Sequence, residues 1–129
     1  MKFTQQGAAG ANLIRRYGAD FVTIGEQDIR TSCIVSATTL SLDWPPASVE
    51  ELARPHLDAL FMLSPEVVVL STGARQQFPR AALRAEFATR KIGLEVMEVG
   101  AACRTYNVLV SEERKVLAAI LLPRAFRSA

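Results

Sequence analysis

The sequence predicts one α/β domain, and three observations carry that prediction. Strand-like segments crowd the first third of the chain. Beyond residue 48, helix-like and strand-like runs alternate. The chain has 129 residues, half of them hydrophobic, which is the size and composition of a single globular domain. A domain of this size buries roughly two-thirds of its unfolded surface, enough to build a core.

Residues 12–17 and 20–24 flank Gly18, where a left-handed turn costs little, so a hairpin is expected there. Residues 29–36 place Ile29, Thr31, Cys33 and Val35 on one side and Arg30, Ser32 and Ser36 on the other. That is the alternation of a half-buried strand, broken by Ile34. Residues 38–43 extend the β region until Trp44-Pro45-Pro46 ends it, because prolines donate no ladder hydrogen bond. Ser48 followed by Glu51 reads as a capping box. From it a helix is expected, with Val49, Leu52, His56, Leu60 and Leu63 on one stripe and a kink at Pro55. Val67–Ser71 is an unbroken apolar run, the pattern of a strand covered on both faces. Phe78-Pro79 opens a second helix with Leu83 and Phe87 buried and Glu86 set four residues before Arg90. Gly93 leads into a strand at 94–98, and 115–122 forms the last strand. Between them, 100–110 fits a helix (Ala102, Tyr106, Leu109 and Glu113 recur at helical spacing) and a hairpin strand equally well.

Composition excludes several function classes. The net charge is +2, too small for a nucleic-acid partner, and Arg80, Arg84 and Arg90 carry no interleaved aromatics; they read as a solvated helix face. Cys33 and Cys103 lack CxxC spacing, and with one histidine no metal set is formed, so neither zinc nor any other cofactor is expected. Gly73 stands alone, without a nucleotide-cradle motif. No window approaches a membrane span and the first residues have no signal-peptide core, so the cytoplasm is the expected location. Glu50-Glu51 and Glu112-Glu113 read as helix-start and turn chemistry rather than catalytic carboxylate pairs.

The run Met97-Glu98-Val99-Gly100-Ala101-Ala102-Cys103-Arg104-Thr105-Tyr106-Asn107-Val108-Leu109 resembles the signature of the Mth938-like domain family. Trp44 before the first helix, the strand ending in Ser71-Thr72-Gly73 and the final strand at 115–122 agree in order, so the resemblance covers about residues 10–123. It implies a three-layer fold, with a central mixed sheet flanked by helices and an additional β layer from the N-terminal strands. It also implies that 101–110 is a helix. The domain would occupy 11–123, with flexible ends at 1–10 and 124–129. Two positions depart from the family pattern: Ser71 stands for a glycine and Val99 for a hydroxyl residue. Many members have no established activity, while a mitochondrial branch assists assembly of respiratory NADH dehydrogenase through protein contacts. The resemblance therefore implies a non-enzymatic, assembly-type protein with a protein partner.

The alternative is a small-molecule or anion site. If Val67–Ser71 and 94–98 are parallel neighbours, their exit loops share a rim. That brings Thr72, Gly73 and Arg75 near Gly100, Cys103 and Arg104, where a helix N-terminus offers N–H groups to an anion. Cys103 is then either a thiol activated by the helix and Arg104 or a small buried packing residue. Thr105, Tyr106 and Asn107 either meet a ligand or partner, or hold the 72–73 loop. Trp44 is either a partner anchor or a cover for the core's edge.

Overall fold

The structure is a computed structural model and describes residues 10–124. The first three strands, β1 (Ile14–Gly18), β2 (Phe21–Ile24) and β3 (Gln27–Ile29), form a small antiparallel sheet. A second sheet contains β4 (Cys33–Val35), β5 (Leu40–Ser41), β6 (Val67–Ser71), β7 (Gly93–Met97) and β8 (Val116–Ile120). Its order is β5-β4-β8-β6-β7; β6 is parallel to both β7 and β8, and β4 is antiparallel to β8 and β5. Three helices complete the domain: α1 (Arg54–Phe61), α2 (Ala81–Thr89) and α3 (Val99–Ser111).

The larger sheet is covered on both faces, and its strands show it residue by residue. Val67 and Val69 of β6, with Val116, Ala118 and Ile120 of β8, face α3 and the small sheet. Val68 and Leu70, with Leu117 and Ala119, face α1 and α2. Ile34, the residue that broke the alternation, belongs to this second face, while Cys33 and Val35 belong to the first. An apolar run on a doubly covered strand serves two cores. Parallel crossovers are right-handed, and β7 and β8 lie on opposite sides of β6. The β6-α2-β7 and β7-α3-β8 connections therefore cross the sheet in opposite directions, which puts α2 and α3 on opposite faces.

Three elements depart from the sequence reading. The strand expected over 29–36 is split, with β3 ending one sheet and β4 starting the other. The hairpin at Gly18 turns through Ala19 and Asp20, with Gly18 paired to Phe21. Gly18 does not adopt a left-handed conformation; a Cβ there would lie 2.5 Å from Cε1 of Phe21, so the requirement is room for that ring. The first helix starts later than expected. Ser48 makes no side-chain cap, Val49–Glu51 form only a 3₁₀ turn, and α1 begins after an extended Ala53. Pro55 thus falls in the first turn, where its missing N–H costs nothing and no kink arises. The cap comes from the lone histidine, whose Nδ1 accepts the Ala53 N–H at 3.0 Å. Glu51 is engaged elsewhere: it accepts the Ala47 N–H at 3.0 Å and binds Arg124 through both oxygens at 2.7 and 2.8 Å.

Over the second core, Phe61 meets Phe87 edge-on at 5.0 Å and Arg90 lies over Phe61 at 4.3 Å while pairing with Glu86 at 2.6 Å. Arg80 and Arg84 donate to the carbonyls of Leu52 and Pro79. No helix among the described residues is long and apolar enough to cross a membrane.

The strands β6, β7 and β8 are each entered through a residue with positive φ that is not glycine: Ser64 (53°), Lys91 (58°) and Glu113 (62°). Each follows a helix end, where glycine normally takes the left-handed position. The left-handed backbone costs an L-residue about 1–2 kcal/mol, and glycine's extra unfolded-state freedom costs about 0.5–1. Replacing Lys91, which is exposed, by glycine is predicted to stabilise the domain by up to about 1 kcal/mol. A rise in the urea midpoint at unchanged slope checks this; a fall refutes the strain argument.

Candidate functional site

The parallel pairing of β6 and β7 is in register from Val67↔Gly93 to Ser71↔Met97, so the loops after them do share one rim. The segment 101–110 lies within α3, as the resemblance implied. What the structure places at the rim is a set of mutually satisfied groups. Thr72 donates its N–H to the Met97 carbonyl at 2.9 Å, and its hydroxyl contacts the Arg75 carbonyl at 2.6 Å. Gly73, with φ at 96°, turns its carbonyl to receive the Val99 N–H at 2.8 Å. That conformation is one glycine adopts without strain.

The N-terminus of α3 is capped by Glu98, a residue the sequence reading passed over. Its carboxylate accepts the Gly100 N–H at 2.8 Å and the Ala101 N–H at 2.7 Å. These two bonds, Ala101 first, hold the carboxyl below the usual carboxylate range, with Arg104 adding a smaller attraction. The signal was present: an acidic residue immediately before a helix satisfies free N–H groups and complements the dipole. With Gly73 and Glu98 in place, the first three N–H groups of α3 have internal acceptors. The Gly100 and Ala101 N–H groups, which an anion at a helix N-terminus would use, are occupied by the Glu98 carboxylate.

Cys103 is 1% exposed and packs into the first core with Cys33. Burial pushes its thiol up to about 12, outweighing the neighbouring Arg104. Arg104 itself turns outward and donates to the Tyr17 hydroxyl at 2.6 Å. Trp44 is 4% exposed; its indole N–H donates to the His56 carbonyl at 3.1 Å, and its ring closes the core beneath α1. Ser71 is fully buried and its hydroxyl has no partner among the described residues. Arg75 is exposed beside the rim.

None of Thr105, Tyr106 and Asn107 hydrogen-bonds the 72–73 loop. Thr105 contacts the Met97 sulfur at 3.3 Å. Tyr106, completely buried, donates its hydroxyl to the Asn12 carbonyl at 2.7 Å. Asn107 treats β1 as a strand neighbour: its Oδ1 accepts the Ile14 N–H and its Nδ2 donates to the Ile14 carbonyl, both at 2.9 Å. These residues fasten the small sheet onto α3. Neither Asn12 nor Ile14 carried any sequence signal, since the partners lie about ninety residues apart (107 − 14 = 93 for the Asn107 pair).

A mixed five-stranded sheet with two helices on one face, and one helix plus a small β sheet on the other, defines the class: this is an Mth938-like α/β domain. The chain belongs to the family described as protein of unknown function (DUF498/DUF598), which matches residues 14–121. Among solved structures it is similar to the Xanthomonas campestris protein XCC1710, at 36% identity and a TM-score of 0.84, covering 100% of this chain and 98% of that one. A Bordetella pertussis protein described as a Mth938-like domain shares the fold at a TM-score of 0.74 and 21% identity, covering 94% and 92% of the two chains. Among named relatives it is 32% identical over 123 residues to the zebrafish (Danio rerio) NADH dehydrogenase [ubiquinone] 1 alpha subcomplex assembly factor 3, spanning 94% of this chain and 70% of the relative.

Two predictions test this geometry. Asn107→Ala removes two hydrogen bonds and strands both backbone groups of Ile14, a loss of about 2–4 kcal/mol. Hydrogen exchange at β1 should accelerate before exchange at β6 and β8; uniform acceleration would refute the clamp. The second concerns acid. The folded-state value of Glu98 is depressed, so its contribution is complete above the ordinary carboxylate value of about 4.3 and fades as pH falls through the folded value. Glu98→Gln should flatten the acid limb of the stability curve; a limb identical to that of the parent chain would count against the cap.

Proposed function

We propose that this chain is a non-enzymatic binding protein that assists assembly of a protein complex through its outer surface. The observation that carries the reading is the similarity to a named assembly factor over 94% of the chain, in which the family-signature residues are spent on internal architecture. Asn107, Tyr106 and Glu98 each satisfy backbone groups of the domain itself. A signature so committed supports a rigid scaffold. By extension from the relative's name, the complex served is a respiratory NADH dehydrogenase or another multi-subunit assembly, and the partner is one of its subunits or a second assembly factor. Two unpaired, buried thiols suit a reducing compartment such as the cytoplasm. The alternative, a small anion held at the 72–75/100–107 rim with Cys103, requires Glu98 to yield.

Affinity capture of the tagged chain from its own host is predicted to recover a stoichiometric protein partner. In parallel, phosphate and small carboxylates at millimolar concentration should leave the amide resonances of 72–75 and 100–104 in place. Movement of those resonances with no partner recovered would reverse the ranking.

A further inference from the structure

Helix α2 is apolar on two sides, and the domain covers only one of them. Leu83 and Phe87 point into the second core. Ala81, Ala82, Ala85 and Ala88 are exposed, and their three- and four-residue spacing puts them together on the outer face. At the amino end of that face stands Phe78, 63% exposed. A helix that is apolar all round is ordinarily a buried one, so the outer face lacks a neighbour.

The same end of α2 is cationic. Arg75, Arg80 and Arg84 enter no salt bridge among the described residues. Arg80 and Arg84 donate to backbone carbonyls, which leaves their charge uncompensated. Residues 50–58 and 74–91, which comprise α2 and the segments beside it, carry six basic side chains against four carboxylates. Three of those carboxylates are held: Asp58 and Glu86 by Arg54 and Arg90, and Glu51 by Arg124. Only Glu50 remains to offset the three arginines. Glu95 of β7 is in register with Val69 and lies on the other face of the sheet. The helix terminus adds to the positive excess. Where α3 is capped by Glu98, α2 has no side-chain cap and no acid in its first turn, and no acceptor among the described residues takes the Ala81 or Ala82 N–H.

We propose that the outer face of α2 docks an amphipathic helix of the protein partner. Its apolar side lies on Phe78, Ala81 and Ala85, and acidic residues along one edge meet Arg75, Arg80 and Arg84. The source of the helix rests on the assembly reading. The charge excess selects an acidic edge over a basic one. A helix is selected over a strand because α2 offers no backbone edge for strand pairing, while alanines let two helix axes approach to about 8 Å. Phenylalanine and arginine are also residue types that protein interfaces concentrate. A second copy of this chain is disfavoured by its own charge. An antiparallel pair about a two-fold axis sets Arg84 against Arg84, and a parallel pair brings two bare, arginine-ringed N-termini together.

The test uses the full-length chain and a display library of helical peptides with one face randomised. Enriched peptides should carry small or aliphatic residues at helical spacing with Asp or Glu beside them. A synthetic copy should shift amide resonances of residues 75–89 and bind more weakly as salt rises. Arg84→Glu should weaken its binding at least about tenfold, and Phe78→Ser by a similar factor. Ala85→Gln keeps helix propensity but raises the face and should abolish binding, while Val108→Asp on α3 leaves it unchanged. All four positions are exposed, and melting temperatures equal to that of the parent chain show that each variant folds. No enrichment, enrichment without acidic residues, or indifference to Arg84→Glu overturns the proposal. So does dimerisation of the chain alone that Ala85→Gln abolishes, which makes a second copy the occupant. Shifts at 75–89 produced only by phosphatidylglycerol vesicles or an oligonucleotide overturn it as well. A host partner captured equally well by the parent chain and the three α2-face variants overturns it while leaving the assembly reading intact. Helix binding on α2 with no partner captured keeps the surface and removes the assembly reading.

Discussion

The first core exists because α3 is held between two sheets, and the hold is polar. Ile14, Val22, Ile24 and Ile29 of the small sheet bury their side chains against α3 and the large sheet. Three strands of three to five residues form a unit too small to stand alone. Apolar burial supplies the attraction but not the register, since a one-residue slip of β1 would turn Ile14 outward and Arg15 inward. The Asn107 amide prevents that slip, because it accepts from and donates to the same residue, Ile14. The Tyr106 hydroxyl fixes the chain two residues earlier, at Asn12. The family signature is therefore first a registration device between layers.

The same constraint explains why so polar a run as Thr105-Tyr106-Asn107 lies on an amphipathic helix. A helix packed on one sheet needs a single apolar stripe, but α3 packs on two. Ala102, Tyr106 and Val110 belong to the first core, and Asn107 lies beside them toward β1. Buried polar groups are costly unless partnered, and here the strand's free edge provides the partner. Outside, Arg104 ties to Tyr17 of the same small sheet, so the docking is secured at both ends of β1.

How much of this was legible follows from the range of each interaction. Local signals were reliable: the two-faced run of β6, the helical stripe of Leu83 and Phe87, and the Glu86–Arg90 pair are set by neighbours within a turn or a strand. The order of elements also conveyed the parallel β6–β7 pairing and the shared rim. Competition between local signals was harder to resolve. Ser48 and Glu51 spelled a capping box, yet Glu51 has a stronger partner in Arg124, seventy-three residues away, and Pro55 is better satisfied in a first turn than inside a helix. Periodicity alone left 100–110 undecided, because the β-prone run from Thr105 to Val110 competes with the helical spacing of Ala102, Tyr106 and Val110. Gly18 was noticed for its backbone freedom when the need was space for a ring.

The two ends of the parallel strands differ for a reason the sequence distributes over distant segments. At the carboxyl ends, where open α/β sheets usually bind ligands, the loops meet: Thr72 bonds Met97, Gly73 bonds Val99, and Glu98 caps the start of α3. At the amino ends, helices enter strands through left-handed residues such as Ser64 and Glu113. These sharp turns keep the α1–β6 and α3–β8 connections tight, so they do not fold over the sheet. The β4–β5 turn stands apart because β4 runs antiparallel to β8 and leaves the sheet at this end. The space between is a groove edged by Lys115. Its walls come from residues 36–39, 63–65 and 114–117, none of which carries a motif. The rim that motif reasoning selects is thus bound into the fold by Thr72, Gly73 and Glu98, while the opposite end of the sheet is left open.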